Sequence, residues 1–157
     1  MAARPLTWLC AVLLAAGTAR AQSLVENWEP AGATTMALTG RVTFTADRIT
    51  FANKASLPLE PAAEIGNFRV DGQPVNALLF KVTTPANPVL PGGGRLCAPG
   101  EAVRLLVVWR PAPIGDFATA QARSFAAFSR DAVPESSRDR GSCGTFDYEV
   151  QQPRGRR

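Results

Sequence analysis

MALTGRVTFTADRITF, residues 36–51, decides the fold class. Met36, Leu38, Gly40, Val42 and Phe44 share one parity, while Ala37, Thr39, Arg41, Thr43 and Thr45 share the other. Alternation of this kind, rich in β-branched and aromatic residues, is the pattern of a strand with one buried face. Gly40 falls on the apolar parity, which points to a bend or a close backbone approach. Ala46-Asp47 reads as a turn, and Ile49 and Phe51 carry the alternation back along a second strand.

The same pattern continues downstream. After a turn at Asn53-Lys54, Leu57 and Leu59 hold one face, and Pro58 and Pro61 predict a short or edge strand. Phe68 and Val70 lead into Asp71-Gly72, a two-residue hairpin signal. Leu78, Phe80 and Val82 line one side of the next strand. Residues 84–100 hold four prolines and the triplet Gly92-Gly93-Gly94, so they read as a long loop. Residues 103–110 are apolar on both parities, which predicts a strand covered on both faces. Residues 116–128 suit either a helix capped by Asp116 or a strand with a small-residue face, and β neighbours favour the strand. Residues 129–144 read as a polar loop, and Phe146, Tyr148 and Val150 face one way along a last strand.

That makes about eight short strands and an all-β chain. The predicted fold is a single small antiparallel β-barrel spanning residues 22–152, with a two-sheet β-sandwich as the alternative. Hairpins in sequence order, the glycine kink and a last strand able to close on the first favour the barrel.

The ends of the chain are of a different kind. Arg4, the apolar run 6–16 and the Ala19-Arg20-Ala21 site have the order of a secretory signal peptide, residues 1–21, cut after Ala21. The run is too short to span a bilayer, and a periplasmic or secreted protein is expected, with no membrane span after cleavage. Removal of the segment leaves two cysteines, Cys97 and Cys143, in an exported chain, which predicts a disulfide rather than two free buried thiols. The loop closed would be worth up to about 4 kcal/mol.

Of 17 basic residues, Arg4 and Arg20 leave with the signal, and Arg154, Arg156 and Arg157 belong to a basic tail, 153–157, expected to be disordered. The body then carries 12 basic and 13 acidic side chains, so the formal charge of +4 is a property of the ends. No nucleic-acid partner is expected.

The chain has no histidine, which excludes Ser-His-Asp and Cys-His catalysis and any histidine metal ligand. Glu60 and Glu64 read as solvated carboxylates beside Pro61 in a loop rather than a glycosidase pair. Asp131, Glu135 and Asp139 are interleaved with Arg130, Arg138 and Arg140, against a calcium loop. The glycine triplet lacks the Lys-Ser/Thr of a phosphate loop, and neither Lys54 nor Lys81 stands in a Ser-x-x-Lys spacing. No catalytic residue, metal or cofactor is expected. Phe44, Phe51, Phe80, Trp109, Phe146 and Tyr148 lie on strand faces, where they line either a ligand cavity or a filled core.

The arrangement over about residues 28–150 resembles the small exported β-barrels of bacteria, including calycin-type and lipocalin-like proteins. Trp28, ahead of the first predicted strand, is similar to the tryptophan that plugs the base of such barrels, although Glu26-Asn27 stand where their Gly-x signature would. Thr39-Gly40 with Thr43-Phe44, Val107-Val108-Trp109 and Cys143-Gly144-Thr145-Phe146 also resemble segments of exported bacterial proteins, a likeness that carries no activity. The expectation is a monomeric, non-catalytic binding module. It would recognise a protein or envelope component through loops pinned by the cysteines, or hold a small apolar ligand in the barrel. The alternative is a small carboxylate-dependent hydrolase acting on a polysaccharide.

Overall fold

The computed structural model describes residues 24–111 and 121–151. The expected signal segment, the basic tail and residues 116–120 of the ambiguous stretch therefore lie outside the described residues.

Eight antiparallel strands close into a barrel in sequence order, and the last pairs with the first. They are β1 (Glu26–Pro30), β2 (Val42–Thr45), β3 (Arg48–Phe51), β4 (Ser56–Val70), β5 (Gln73–Ala86), β6 (Val103–Trp109), β7 (Ala122–Phe128) and β8 (Ser142–Val150). The barrel, not the sandwich, is the fold. Closure gives every strand a neighbour on each side over at least part of its length.

The alternation read from the sequence is the alternation of this wall. Trp28, Val42, Ile49, Phe51, Leu57, Phe80, Val82, Phe125, Phe146 and Tyr148 point inward and are buried together. Outward positions of β1 to β3 carry Glu29, Thr43 and Arg48; Arg41, just ahead of β2, pairs with Glu29, and Thr43 is bonded to Asn27. On these three strands the outer face is polar and the inner face carries aromatic rings. No helix among the described residues is long and apolar enough to cross a membrane.

Strand β6 is apolar on both sides because both sides are covered. Leu106 and Val108 join the barrel core, whereas Leu105, Val107 and Trp109 join a second cluster outside the wall. The long β4–β5 hairpin makes that cluster possible. Its pairing runs on to Val70 and Gln73, beyond the last β5–β6 pair at Ala77 and Trp109. Register shifts at residues 61–63 and 65–68 let β4 bend, as bulges do. Phe68, fully buried, then meets the Trp109 ring at 5.5 Å. The loop 129–141 holds the bent strand down: the Arg69 amide donates to Glu135 O and the Ser137 amide to Arg69 O, each at 2.9 Å.

Three sequence expectations are corrected here. Residues 36–40 are not strand. A short helix, α1 (Ala33–Leu38), occupies the connection from β1 to β2, with Met36 exposed and Thr35 buried. Thr35 and Thr39, four residues apart, face inward together, and the Thr39 hydroxyl lies 2.6 Å from the Tyr148 hydroxyl. Gly40 then takes φ 58, a backbone conformation other residues rarely adopt, and turns the chain into β2. The first strand is β1, and Trp28 stands within it rather than ahead of it. Glu60 and Glu64 lie in β4, not in a loop, and β4 is the longest strand rather than a short one. The edge expectation holds for its later part, because β3 pairs with β4 only as far as Pro58. Within the ambiguous stretch, residues 122–128 are strand.

One end of the barrel is sealed by α1 and by the loop 87–102, whose Leu90, Leu96 and Cys97 are buried in the core. Cys97 and Cys143 are joined in a disulfide, Cα to Cα 4.7 Å, which fits an oxidising compartment. The glycine triplet belongs to this seal. A Cβ on Gly92 would fall 1.9 Å from the Ala37 carbonyl oxygen, so loop and helix can meet only through a bare backbone. Gly92→Ala is therefore expected to lower stability by about 1–3 kcal/mol, read from urea denaturation. A loss below about 0.5 kcal/mol would mean that the seal gives way freely.

Candidate functional site at the open end of the barrel

Among the described residues, the opposite end is open. Between the upper ends of β1, β2, β5, β6 and β7 lies a cavity of about 690 Å³. Small-molecule sites span roughly 300–1,000 Å³, so this is a full-sized one. Parity explains its lining. Inward residues near the sealed end meet their counterparts across a narrow core. Those near the open end have no described residue above them.

The floor is aromatic. Trp28 of β1 stacks on Phe44 of β2 at 4.7 Å and 12°, and Phe44 meets Phe80 of β5 edge-on at 5.3 Å. Trp28 also touches Tyr148 at 5.6 Å, and Tyr148 stacks on Phe125 at 5.7 Å, which leans on Phe146 at 5.1 Å. A continuous line of rings thus runs from the cavity into the packed half. Burial pushes the Tyr148 hydroxyl well above its ordinary value; the Thr39 bond pulls it down and Asp147 adds to the rise. That hydroxyl is structural.

Of the six aromatics singled out in the sequence, Phe44 and Phe80 line the cavity. Phe51, Phe146 and Tyr148 belong to the packed interior. Trp109 borders the cavity, but its ring contact is with Phe68 outside the wall. Trp28 is part of the cavity floor, while α1 and the loop 87–102 close the base. The barrel is hollow at its mouth and filled below it.

Above the rings sits an ion pair. Glu26 precedes Trp28 by two on the inner parity, and Arg123 precedes Phe125 by two. Arg123 grips the Glu26 carboxylate with two N–H groups, Nη2 to Oε1 at 2.9 Å and Nε to Oε2 at 3.2 Å. The Trp28 indole N–H donates to Glu26 Oε2 at 2.8 Å. Both side chains are largely buried, at 10% and 16% exposed, so this is not a solvated surface pair. Burial alone would raise the Glu26 carboxyl. The bonds from Arg123 and Trp28, with the Arg123 and Arg110 charges, outweigh it and hold the group below its ordinary value.

The pH consequence has a definite sign. A carboxyl depressed in the fold stabilises it fully above the unfolded value near 4.5, and that stability is lost as pH falls through the native value. Arg123→Gln removes the strongest partner and leaves a desolvated carboxylate. The variant is expected to be about 1–3 kcal/mol less stable than the parent above about pH 5. The gap should narrow as Glu26 is protonated. Urea melts of both proteins from acidic to neutral pH check this; a gap that widens on acidification sinks it.

The other chemical candidates lie elsewhere. Glu60 and Glu64 are exposed on β4. Asp139 accepts from the Glu135 and Ser136 amides and the Ser136 hydroxyl, which hold its carboxyl below its ordinary value, and so it shapes the loop 129–141. Asp131 pairs with Arg104. Glu101 lies near both sulfurs of the disulfide, whose thiols are already spent on each other.

Sequence reasoning missed Glu26, Arg123, Asn76 and Leu78. The signal for three of them was present. Arg123 shares parity with Phe125, and Asn76 and Leu78 share parity with Phe80. Glu26 was hidden because β1, five residues ending in Pro30, is too short for its alternation to register.

No protein-family model, curated protein or solved structure matches this chain.

Proposed function

We propose that this protein is an exported, non-catalytic binding module that holds a small apolar ligand in the open end of its barrel. The observation that carries the reading is the 690 Å³ cavity floored by Trp28, Phe44 and Phe80. Apolar cavities with a few placed polar groups are the usual form of a small-molecule site. The calycin-like architecture supports it, since a closed antiparallel barrel open at one end is how such proteins carry ligands. The disulfide and the amino-terminal signal pattern support export.

Recognition through the pinned loops has less behind it. The loop 87–102 contributes core residues to the seal, and the loop 129–141 braces the bent strand. Acid–base hydrolysis needs two carboxylates facing one cleft. Glu26 is the sole carboxylate lining the cavity among the described residues, and Arg123 and Trp28 keep it charged.

The test uses Nile red, a neutral apolar fluorophore. It should brighten on binding the mature protein. Leu78 lines the cavity yet is 47% exposed, so Leu78→Glu should leave the fold intact. It should weaken the dye by about tenfold or more, because a charge then stands in an apolar site. Equal brightening by parent and variant, or none by either, would overturn the reading.

A further inference from the structure

We infer that the ligand is an amphiphile whose anionic head sits at the mouth, against Arg110. This rests on the cavity reading above and adds the chemistry of the head group.

Two of the polar side chains at the mouth are already engaged with each other. Glu26 accepts three N–H bonds, one from Trp28 and two from Arg123. Arg123 is engaged by Glu26 and donates from Nη1 to the Ala122 carbonyl at 3.0 Å. The two charges cancel. Arg110 and Asn76 also line the cavity, both are exposed, and neither side chain hydrogen-bonds to another described residue. Arg110 brings five N–H donors and a permanent charge; Asn76 brings two donors and one acceptor. Among the described residues lining the cavity, the free polar capacity is therefore rich in donors and carries one net positive charge. Its complement is an acceptor-rich anion, which a guanidinium can hold with two parallel bonds.

The geometry also sets the orientation. Trp28, Phe44 and Phe80 form the floor, while Arg110 follows the last residue of β6 at the open end. An apolar tail lies on the rings and the head stays at the rim, where water still reaches it. A neutral ligand forgoes the head contact. A cationic one meets Arg110 as a like charge.

The experiment titrates the mature protein by calorimetry with decanoate, decanol and decyltrimethylammonium, whose apolar chains are the same and whose heads differ. Decanoate is expected to bind at least about tenfold more tightly than decanol, the scale of one charge-assisted hydrogen bond. Arg110→Gln should reduce that ratio to within about twofold, and Arg110→Lys should restore part of it. Added salt should shrink it as well, because the contact is at an exposed rim. Equal binding of decanoate and decanol, a preference for the cation, or a ratio untouched by Arg110→Gln would overturn the head-group inference while leaving the cavity reading in place. Failure of every amphiphile to bind, with Nile red silent too, would overturn both.

Discussion

Cys97→Ala/Cys143→Ala is expected to lose about 4 kcal/mol of stability, most of what many domains possess. The bridge spans 46 positions, and untying a loop of that size releases the unfolded chain into far more conformations. A second effect adds to this in the fold. Cys97 lies in the loop that seals the base, and Cys143 is the second residue of β8, the strand that closes the ring onto β1. The bridge therefore ties the seal to the closing strand. Equilibrium denaturation in urea, with the parent as reference, measures the loss. A value under about 1 kcal/mol would show that Leu90, Leu96 and Gly92 hold the seal with no help from the cross-link.

Phe125→Ala is expected to cost about 3–5 kcal/mol, the range for truncating a fully buried aromatic ring. Phe125 has no exposed surface and touches Phe146 and Tyr148 in the packed half of the line of rings. Nothing nearby can fill the gap, since neighbouring side chains are fixed to paired strands on both sides. Phe80→Ala makes the informative contrast. Its ring borders the cavity, so its removal enlarges a space that already exists, and the cost should be visibly smaller. Equal costs at the two positions would mean that the mouth is as tightly filled as the base.

The strand pattern was legible wherever one face is buried and the other wet. Val42 to Phe44 and Phe146 to Val150 alternate because each borders the core on one side only, whereas in Leu78 to Val82 the core takes Phe80 and Val82 and the second cluster takes Leu79. Strand β6 was legible for the opposite reason, being covered on both faces. What alternation could not show was distance. The bend that returns Phe68 to Trp109 depends on bulges, which leave no period-two mark. Helix α1 escaped because a stretch of six residues is too short for alternation and helix to be told apart. Even the count of eight strands agreed for mixed reasons. Strand β1 went unread, while β4 was taken as two pieces on either side of its bulges. The cavity was legible only as a set of aromatics able to line a core or a pocket, because its existence depends on where the barrel stops being filled.

Closure of β8 onto β1 brings the two ends of the described chain together. Val150 faces Trp28 in the ladder, and the Gln151 amide donates to the Asn27 carbonyl at 2.8 Å. The ring of strands therefore has no privileged starting point, and a circular permutant joined across these ends and reopened at the Asn53-Lys54 turn keeps every strand pairing. Leu24 lines the cavity, so a purification tag ahead of it is tethered at the mouth itself. The permutant would move both new ends to the sealed base, away from the cavity.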